Sequence, residues 1–152
     1  MSIFDAIRSN NPEMLRQHLH HNPKLVEQRD TRGSTPLILA TYYGFEAIID
    51  ILLSYPQDID AKDSSGNTAL MGVSFKGYLE TAKKLIAAGA NVNSTNATGA
   101  TPLIFASMFG QKEMIKLLLQ YNADPDIKDQ KGYSASAYAK QQGLDFEQFL
   151  TT

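Results

Sequence analysis

The chain has 152 residues, of which 43% are hydrophobic and 20% charged, a composition typical of a folded protein of ordinary domain size. Its 14 Lys and Arg against 16 Asp and Glu give a formal net charge of −2, so no net positive field would attract nucleic acid or an anionic membrane surface. The absence of cysteine excludes disulfides, cysteine-ligated zinc, iron–sulfur clusters and a cysteine nucleophile, and it fits a reducing cytoplasm.

The amino terminus and the most apolar segment both argue against export and membrane insertion. Asp5 stands where a signal peptide would carry basic residues followed by an apolar run. The strongest apolar segment, residues 48–53, is interrupted by Asp50 and is far shorter than the roughly 18 residues that span a bilayer. We therefore expect a cytoplasmic protein without a transmembrane helix.

The sequence repeats with a period of 33 residues. Two series of glycines carry this period: Gly33, Gly66, Gly99 and Gly132, and Gly44, Gly77, Gly110 and Gly143. Hydroxyl residues keep the same register at Thr35, Thr68, Thr101 and Ser134, and so do the leucines Leu37, Leu70 and Leu103. One structural module is therefore repeated along the chain.

Each module predicts two helices. The hydroxyl residue can cap the start of a first helix, Pro36 and Pro102 suit the first helical position, and the second glycine of the module can end that helix about nine residues later. A second helix follows with an apolar stripe at i, i+1, i+4 and i+5, as in Ile48, Ile49, Leu52 and Leu53. Charged residues on its other face should face water.

Three segments carry a family resemblance: DTRGSTPLILATYYG, DSSGNTALMGVSFKG and NATGATPLIFASMFG resemble ankyrin repeats, as do the loops AAGANVN and QYNADPD. The resemblance implies an all-α solenoid of helix-turn-helix modules with hairpin-like loops. It also implies a single domain, residues 1–152, with regular repeats at 30–62, 63–95 and 96–128. Residues 1–29 and 129–152 would be the N-terminal and C-terminal capping repeats that complete it, since a terminal repeat has no neighbour on its outer side.

One departure from the family pattern affects packing. The histidine that usually follows Thr-Pro-Leu is replaced by Ile38, Met71 and Ile104. We expect apolar packing to take the place of the hydrogen bonds that this histidine would make.

All three histidines, His18, His20 and His21, lie together near the N-terminus. His18 and His21 would share a helix face and could bind a metal, or they could satisfy the last carbonyls of a helix. No cysteine or fixed carboxylate completes a zinc site, and the chain lacks the nucleophile-elbow, zinc-protease, phosphate-loop and dinucleotide motifs. A metal protein or enzyme using His18 and His21 is therefore the alternative to a non-enzymatic protein without a cofactor.

Large side chains stand just before the glycines that end the internal first helices. They form a stripe of Tyr42, Tyr43, Phe75, Met108 and Phe109. In the ankyrin family these positions, with nearby hairpin residues, face the concave groove that binds partners. The stripe is either such a surface or apolar packing between neighbouring repeats, and we expect Tyr42, Phe75 and Met108 to be its more exposed members.

Residues at the predicted hairpins or beside the groove complete the set of candidate partner-binding residues, which adds Arg32, Asn67, Lys76 and Tyr133 to the stripe. A polar rim around an aromatic centre is typical of protein interfaces. The sequence therefore predicts a monomeric, non-enzymatic scaffold or adaptor that binds a protein partner and neither nucleic acid nor a membrane. A structural module of a larger assembly is a further alternative.

Overall fold

The computed structural model describes residues 2–150, which fold as paired helices. The helices are α1 (Ile3–Arg8), α2 (Pro12–His21), α3 (Pro36–Tyr43), α4 (Glu46–Leu53), α5 (Ala69–Lys76), α6 (Leu79–Ala87), α7 (Pro102–Met108), α8 (Lys112–Gln120), α9 (Ala135–Gln141) and α10 (Glu147–Leu150). A short 3-10 helix, Pro23–Glu27, follows α2. Within residues 2–150 there is no named strand, only an isolated bridge between Lys128 and Ser134.

The helices form two layers. In the first layer the odd-numbered helices stack in chain order, with α1 on α3, α3 on α5, α5 on α7 and α7 on α9. The even-numbered helices form the second layer, and each of α2, α4, α6 and α8 is connected to its odd-numbered partner by a tight turn. This is the all-α repeat solenoid that the resemblance to ankyrin repeats implies.

The first helices begin where the hydroxyl residues predict. The side-chain oxygens of Thr35, Thr68, Thr101 and Ser134 accept the amide three residues later at 3.2, 3.3, 3.1 and 3.4 Å. Gly44 and Gly77 end α3 and α5 in the left-handed conformation, with φ of 73° and 75°. The helices α7 and α9 end one residue earlier in their repeats, at Met108 and Gln141.

A recurrent acidic or amide side chain shapes the hairpin loop before each of these helices. In Asp30, Asp63, Asn96 and Asp129, Oδ1 accepts the amides two and four residues later at 2.9–3.0 Å. The loops then stack on one another, because the amide of Ala97 donates to the carbonyl of Ser65 at 3.1 Å. At Gly66, where φ is 79°, a Cβ would lie 2.8 Å from the nitrogen of Ala97, so the close approach requires glycine.

The core lies between the two layers and runs through all the repeats. Leu37, Leu70 and Leu103 are buried, and so are the stripe residues of the second helices, such as Ile48, Leu85 and Leu118. Met71 and Ile104 are buried and Ile38 packs against the core, which confirms that apolar packing replaces the usual histidine. The Sδ atom of Met71 also accepts the amide of Thr68 at 3.4 Å.

A small hydroxyl residue is buried at the same register in three first helices. Thr41 donates to the carbonyl of Ile38 at 3.0 Å, and Ser74 donates to the carbonyl of Leu70 at 2.6 Å. Among residues 2–150, Ser107 has the one buried side-chain oxygen that lacks a hydrogen-bond partner. A buried hydroxyl without a partner loses its hydration without compensation, so Ser107 destabilises the core.

The two buried serines should therefore respond oppositely to replacement by alanine. Ser107→Ala removes the uncompensated hydroxyl and should leave the free energy of unfolding unchanged or raise it by up to about 1 kcal/mol. Ser74→Ala removes a made hydrogen bond and should lower it by about 1 kcal/mol. Urea unfolding of both variants measures the difference, and an equal loss in both would contradict the assignment.

The last hairpin is fastened to α9 by a tyrosine. The hydroxyl of Tyr138 donates to Oδ2 of Asp129, and this bond, together with burial, raises the pKa of Tyr138 to about 12. Burial by itself would raise the pKa of Asp129, but the bonds from Tyr138 and from the amides of Tyr133 and Lys131 outweigh it and hold that pKa below its ordinary value. Each partner therefore stabilises the other in its neutral-pH form.

Replacing this tyrosine should give a pH-dependent loss of stability. Tyr138→Phe should lower the free energy of unfolding by about 1 kcal/mol near neutral pH, because it removes a hydrogen bond to a carboxylate. Because the pKa of Tyr138 is raised, its contribution to the free energy of unfolding is complete at pH values below its ordinary pKa of 10.0. That contribution is lost as the pH rises toward 12. Because the pKa of Asp129 is lowered, its contribution to the free energy of unfolding is present at pH values above its ordinary pKa of 3.8. That contribution is lost as the pH falls through the pKa of the folded state.

The measurement is urea unfolding of wild type and variant across pH. The difference between them should be largest from about pH 5 to pH 9 and should shrink on both sides. Tyr121→Phe, at an exposed tyrosine, is the matched control. A difference that stays constant at all pH values would show that the loss comes from packing alone.

Candidate functional site

A depression of about 760 Å³ lies between the hairpins and the ends of the first helices. Residues of three repeats line it, including Arg32, Ile38, Leu39, Tyr42, Tyr43, Asn67, Gly72, Phe75 and Phe105. Five of the candidate partner-binding residues, Arg32, Tyr42, Tyr43, Asn67 and Phe75, are thus brought to one place. We refer to this feature as the depression.

One aromatic cluster stands at the end of α3. Tyr42 is 56% exposed and contacts Tyr43 edge to face, with ring centroids 5.5 Å apart. Tyr43 in turn stacks on Phe45 at 5.3 Å. The ammonium of Lys76, from the next repeat, lies 3.8 Å from the centroid of the Tyr42 ring and donates to the Tyr42 carbonyl. Lys76 thus adjoins the depression through Tyr42 and holds that ring in place.

A second aromatic pair connects α5 to α7. The rings of Phe75 and Phe109 meet edge to face at 4.4 Å and an interplanar angle of 89°. Both remain exposed, at 39% and 47%. The pair contacts across the boundary between two repeats and still presents apolar surface to solvent.

Met108 differs from the expectation. It was predicted to be among the more exposed residues of the stripe, but it is half-buried and packs against the core. Its unbranched side chain can bend down onto the core, while Phe109, just after the end of α7, takes the exposed position against Phe75. The expectation for Met108 is therefore wrong, whereas Tyr42 and Phe75 are exposed as predicted.

The hairpin residues divide between the depression and the last repeat. Arg32 is exposed, and its carbonyl accepts the hydroxyl of Ser64 at 2.8 Å. Asn67 is half-buried and accepts the side-chain amide of Asn96 at 2.8 Å. Tyr133 is 45% exposed but packs edge to face on Tyr138 in the last repeat and does not line the depression.

Side chains of the following repeat bind the carbonyls at the ends of the first helices. Gln111 donates to the carbonyl of Phe75 at 2.9 Å, and Gln142 donates to that of Met108 at 2.8 Å. Lys76 does the same for Tyr42. The backbone that carries the stripe is therefore tied to the next repeat at each step.

Among the lining residues that the sequence interpretation missed are Leu39, Gly72 and Phe105. They share one register position in successive repeats. Gly72 lies inside α5, where glycine costs roughly 1 kcal/mol relative to alanine, and apart from its chain neighbours and its own helix backbone a Cβ there would meet no atom of the described residues within 4 Å. The break in the 33-residue register, from leucine to glycine to phenylalanine, was the signal that could have found this position.

The histidines lie elsewhere, at the end of α2. His18, His20 and His21 border a separate shallow cavity of about 600 Å³ with Arg16 and Tyr55. The rings of His20 and His21 are 6.4 Å apart. Among residues 2–150, no three or more histidine, aspartate or glutamate side chains are grouped so that they could hold a metal ion.

The second helices present a charged surface. Lys84 lies 2.6 Å from Glu46 and 2.9 Å from Asp50, and its hydrogen bonds to these carboxylates raise the pKa of Lys84. The charges of this layer face water, as its sequence pattern predicts. None of the helices in residues 2–150 is long and apolar enough to cross a membrane.

Comparison with known proteins identifies the repeat. The family model described as ankyrin repeats, in three copies, matches residues 3–96 and, in an overlapping second match, residues 70–151. The search of curated proteins returned no match. Because the two family matches together cover nearly the whole sequence and the helices pair and stack with the same period, the chain belongs to the ankyrin-repeat family.

Proposed function

We propose that this protein is a non-enzymatic binding module that holds a polypeptide partner in the depression. Ankyrin repeats are general protein–protein interaction modules. The observation that carries the proposal is the pair of exposed aromatic clusters, around Tyr42 and around Phe75, at one depression of about 760 Å³. The proposed contact residues are Arg32, Tyr42, Tyr43, Asn67, Phe75, Lys76, Met108, Phe109 and Tyr133, of which Lys76, Met108, Phe109 and Tyr133 lie outside the lining of the depression.

The exposure of the aromatic rings and their fixed positions both support the proposal. Tyr42 and Phe109 leave about half of their surface in water, which is unfavourable unless a partner covers them. The same rings are held by Lys76 and Phe75, so they would lose little conformational freedom on binding. Aromatic side chains in such settings supply most of the free energy at protein interfaces.

We also propose a cellular role and a compartment for this protein. We propose a scaffold or adaptor role, since such a surface positions a partner without chemistry of its own. The absence of cysteine and the lack of a basic excess support a cytoplasmic location and a protein partner.

Removing the two most exposed aromatic rings of the stripe should strongly reduce partner capture. Tyr42→Ser combined with Phe109→Ser should reduce the recovery of bound protein from source lysate at least tenfold, because hot-spot aromatics contribute about 2 kcal/mol or more each. Tyr121→Ser, which removes a ring that is 48% exposed at the end of α8, should not change it. The measurement is an affinity pull-down with quantitative mass spectrometry.

Thermal unfolding of the same variants separates binding from packing. The double variant should unfold within a few degrees of wild type, since both rings are largely exposed. A large fall in Tm would favour the interpretation of the stripe as inter-repeat core. Retention of every bound protein at unchanged Tm would exclude the depression as the binding surface.

The protein should also be monomeric in solution. Static light scattering should give a mass near 16.8 kDa at micromolar concentration. Twice that mass, lost on Tyr42→Ser with Phe109→Ser, would indicate that the aromatic clusters bind a second copy of the chain instead.

A further inference from the structure

Gly72 leaves a gap on the first-helix layer. At the corresponding position the N-terminal repeat has Ala6, whereas the three other repeats carry the large side chains of Leu39, Phe105 and Tyr138. In α5 there is no side chain at this position, and a Cβ at Gly72 would meet no other element of the described part of the chain within 4 Å. No close contact therefore explains the glycine, although it weakens the helix.

The floor and walls of this gap are apolar. Leu39 and Phe105 flank it from the two neighbouring repeats, and Phe75 lies one turn along α5. Met71 and Ile38 line the same depression. The gap has the position of a missing leucine or phenylalanine side chain.

The hairpin side of the depression carries more acidic than basic side chains. Asp30, Asp63 and Arg32 line the hairpin side of the depression, where carboxylates outnumber guanidinium groups, while Lys76 adjoins the opposite side through Tyr42. The Oδ1 atoms of both aspartates accept two backbone amides each at 2.9 Å, which keeps the carboxylates fixed beside the gap. This distribution favours a ligand with a positive charge next to its apolar group.

We infer that the Gly72 gap is the anchor subsite for one large apolar side chain, of leucine or phenylalanine size, from a bound partner segment that carries a basic residue beside it. The inference rests on the proposed function, because it requires that the depression binds a polypeptide. The partner side chain supplies the packing that α5 lacks between Leu39 and Phe105. The basic neighbour faces Asp30 and Asp63.

A phage-displayed library of random linear peptides is the probe. Peptides enriched on the wild-type protein should share a leucine or phenylalanine with an adjacent lysine or arginine. Synthetic copies of these peptides should bind Gly72→Leu at least about tenfold more weakly by fluorescence anisotropy, since the new side chain fills the gap. Ala87→Leu, which adds the same side chain at an exposed position on α6, should bind as wild type does.

Gly72→Ala tests the same point without the risk of overpacking. It should raise Tm by about 2–4 °C, because alanine is the better helix former and its Cβ has room. It should also weaken the selected peptides several-fold, since the methyl group takes part of the gap. A more stable protein that binds less tightly would exclude misfolding as the cause.

Several outcomes would overturn the inference. They are the enrichment of no peptide, the enrichment of peptides without a large apolar residue, and an unchanged affinity for both Gly72 variants. If the peptides lose affinity for Tyr42→Ser with Phe109→Ser but not for the Gly72 variants, binding in the depression stands and only the anchor subsite fails. If no peptide is enriched, the pull-down with the aromatic variants decides the proposed function separately.

Discussion

The structure depends on the apolar side chains that neighbouring helix pairs bury against one another. A pair such as α5 and α6 presents apolar side chains on the faces that meet the preceding and following repeats, and it covers them only when both neighbours are present. The hairpin loops set the spacing at which this happens, because Asp63 and Asn96 fix each loop and the backbone bonds join one loop to the next. Stability therefore accumulates from step to step and is not supplied by one central core.

The sequence predicts this architecture well because the constraints act locally and recur. Caps at Thr35 and Thr101, and glycines at positive φ such as Gly44 and Gly77, are needed in every repeat, so each appears at the same interval. The capping interactions within repeats and the loop contacts between them leave little freedom for another fold. The predicted helix starts lie where the structure has them, and the predicted ends differ by one residue in α7 and α9.

The candidate surface is less predictable because it depends on side-chain packing between repeats. Register alone places Met108 with Tyr42 and Phe75, but it does not show that a flexible methionine bends to the core and leaves Phe109 exposed. The role of Gly72 in the surface is hard to predict for a different reason. The sequence shows the change from Leu39 to Gly72 to Phe105 at one register position, but only the structure shows that these residues line one depression.

The side-by-side stacking of α3, α5 and α7 also fixes the distance between equivalent side chains of successive repeats. Packed helices lie about 8–10 Å apart, so equivalent side chains on successive repeats are spaced by about that distance. An extended polypeptide covers it in about three residues at 3.3 Å each, and a helix covers it in about two turns. A partner crossing the repeats would present its contact residues at one of these two intervals, so the spacing of anchors in its sequence would reveal whether it binds as a strand or as a helix.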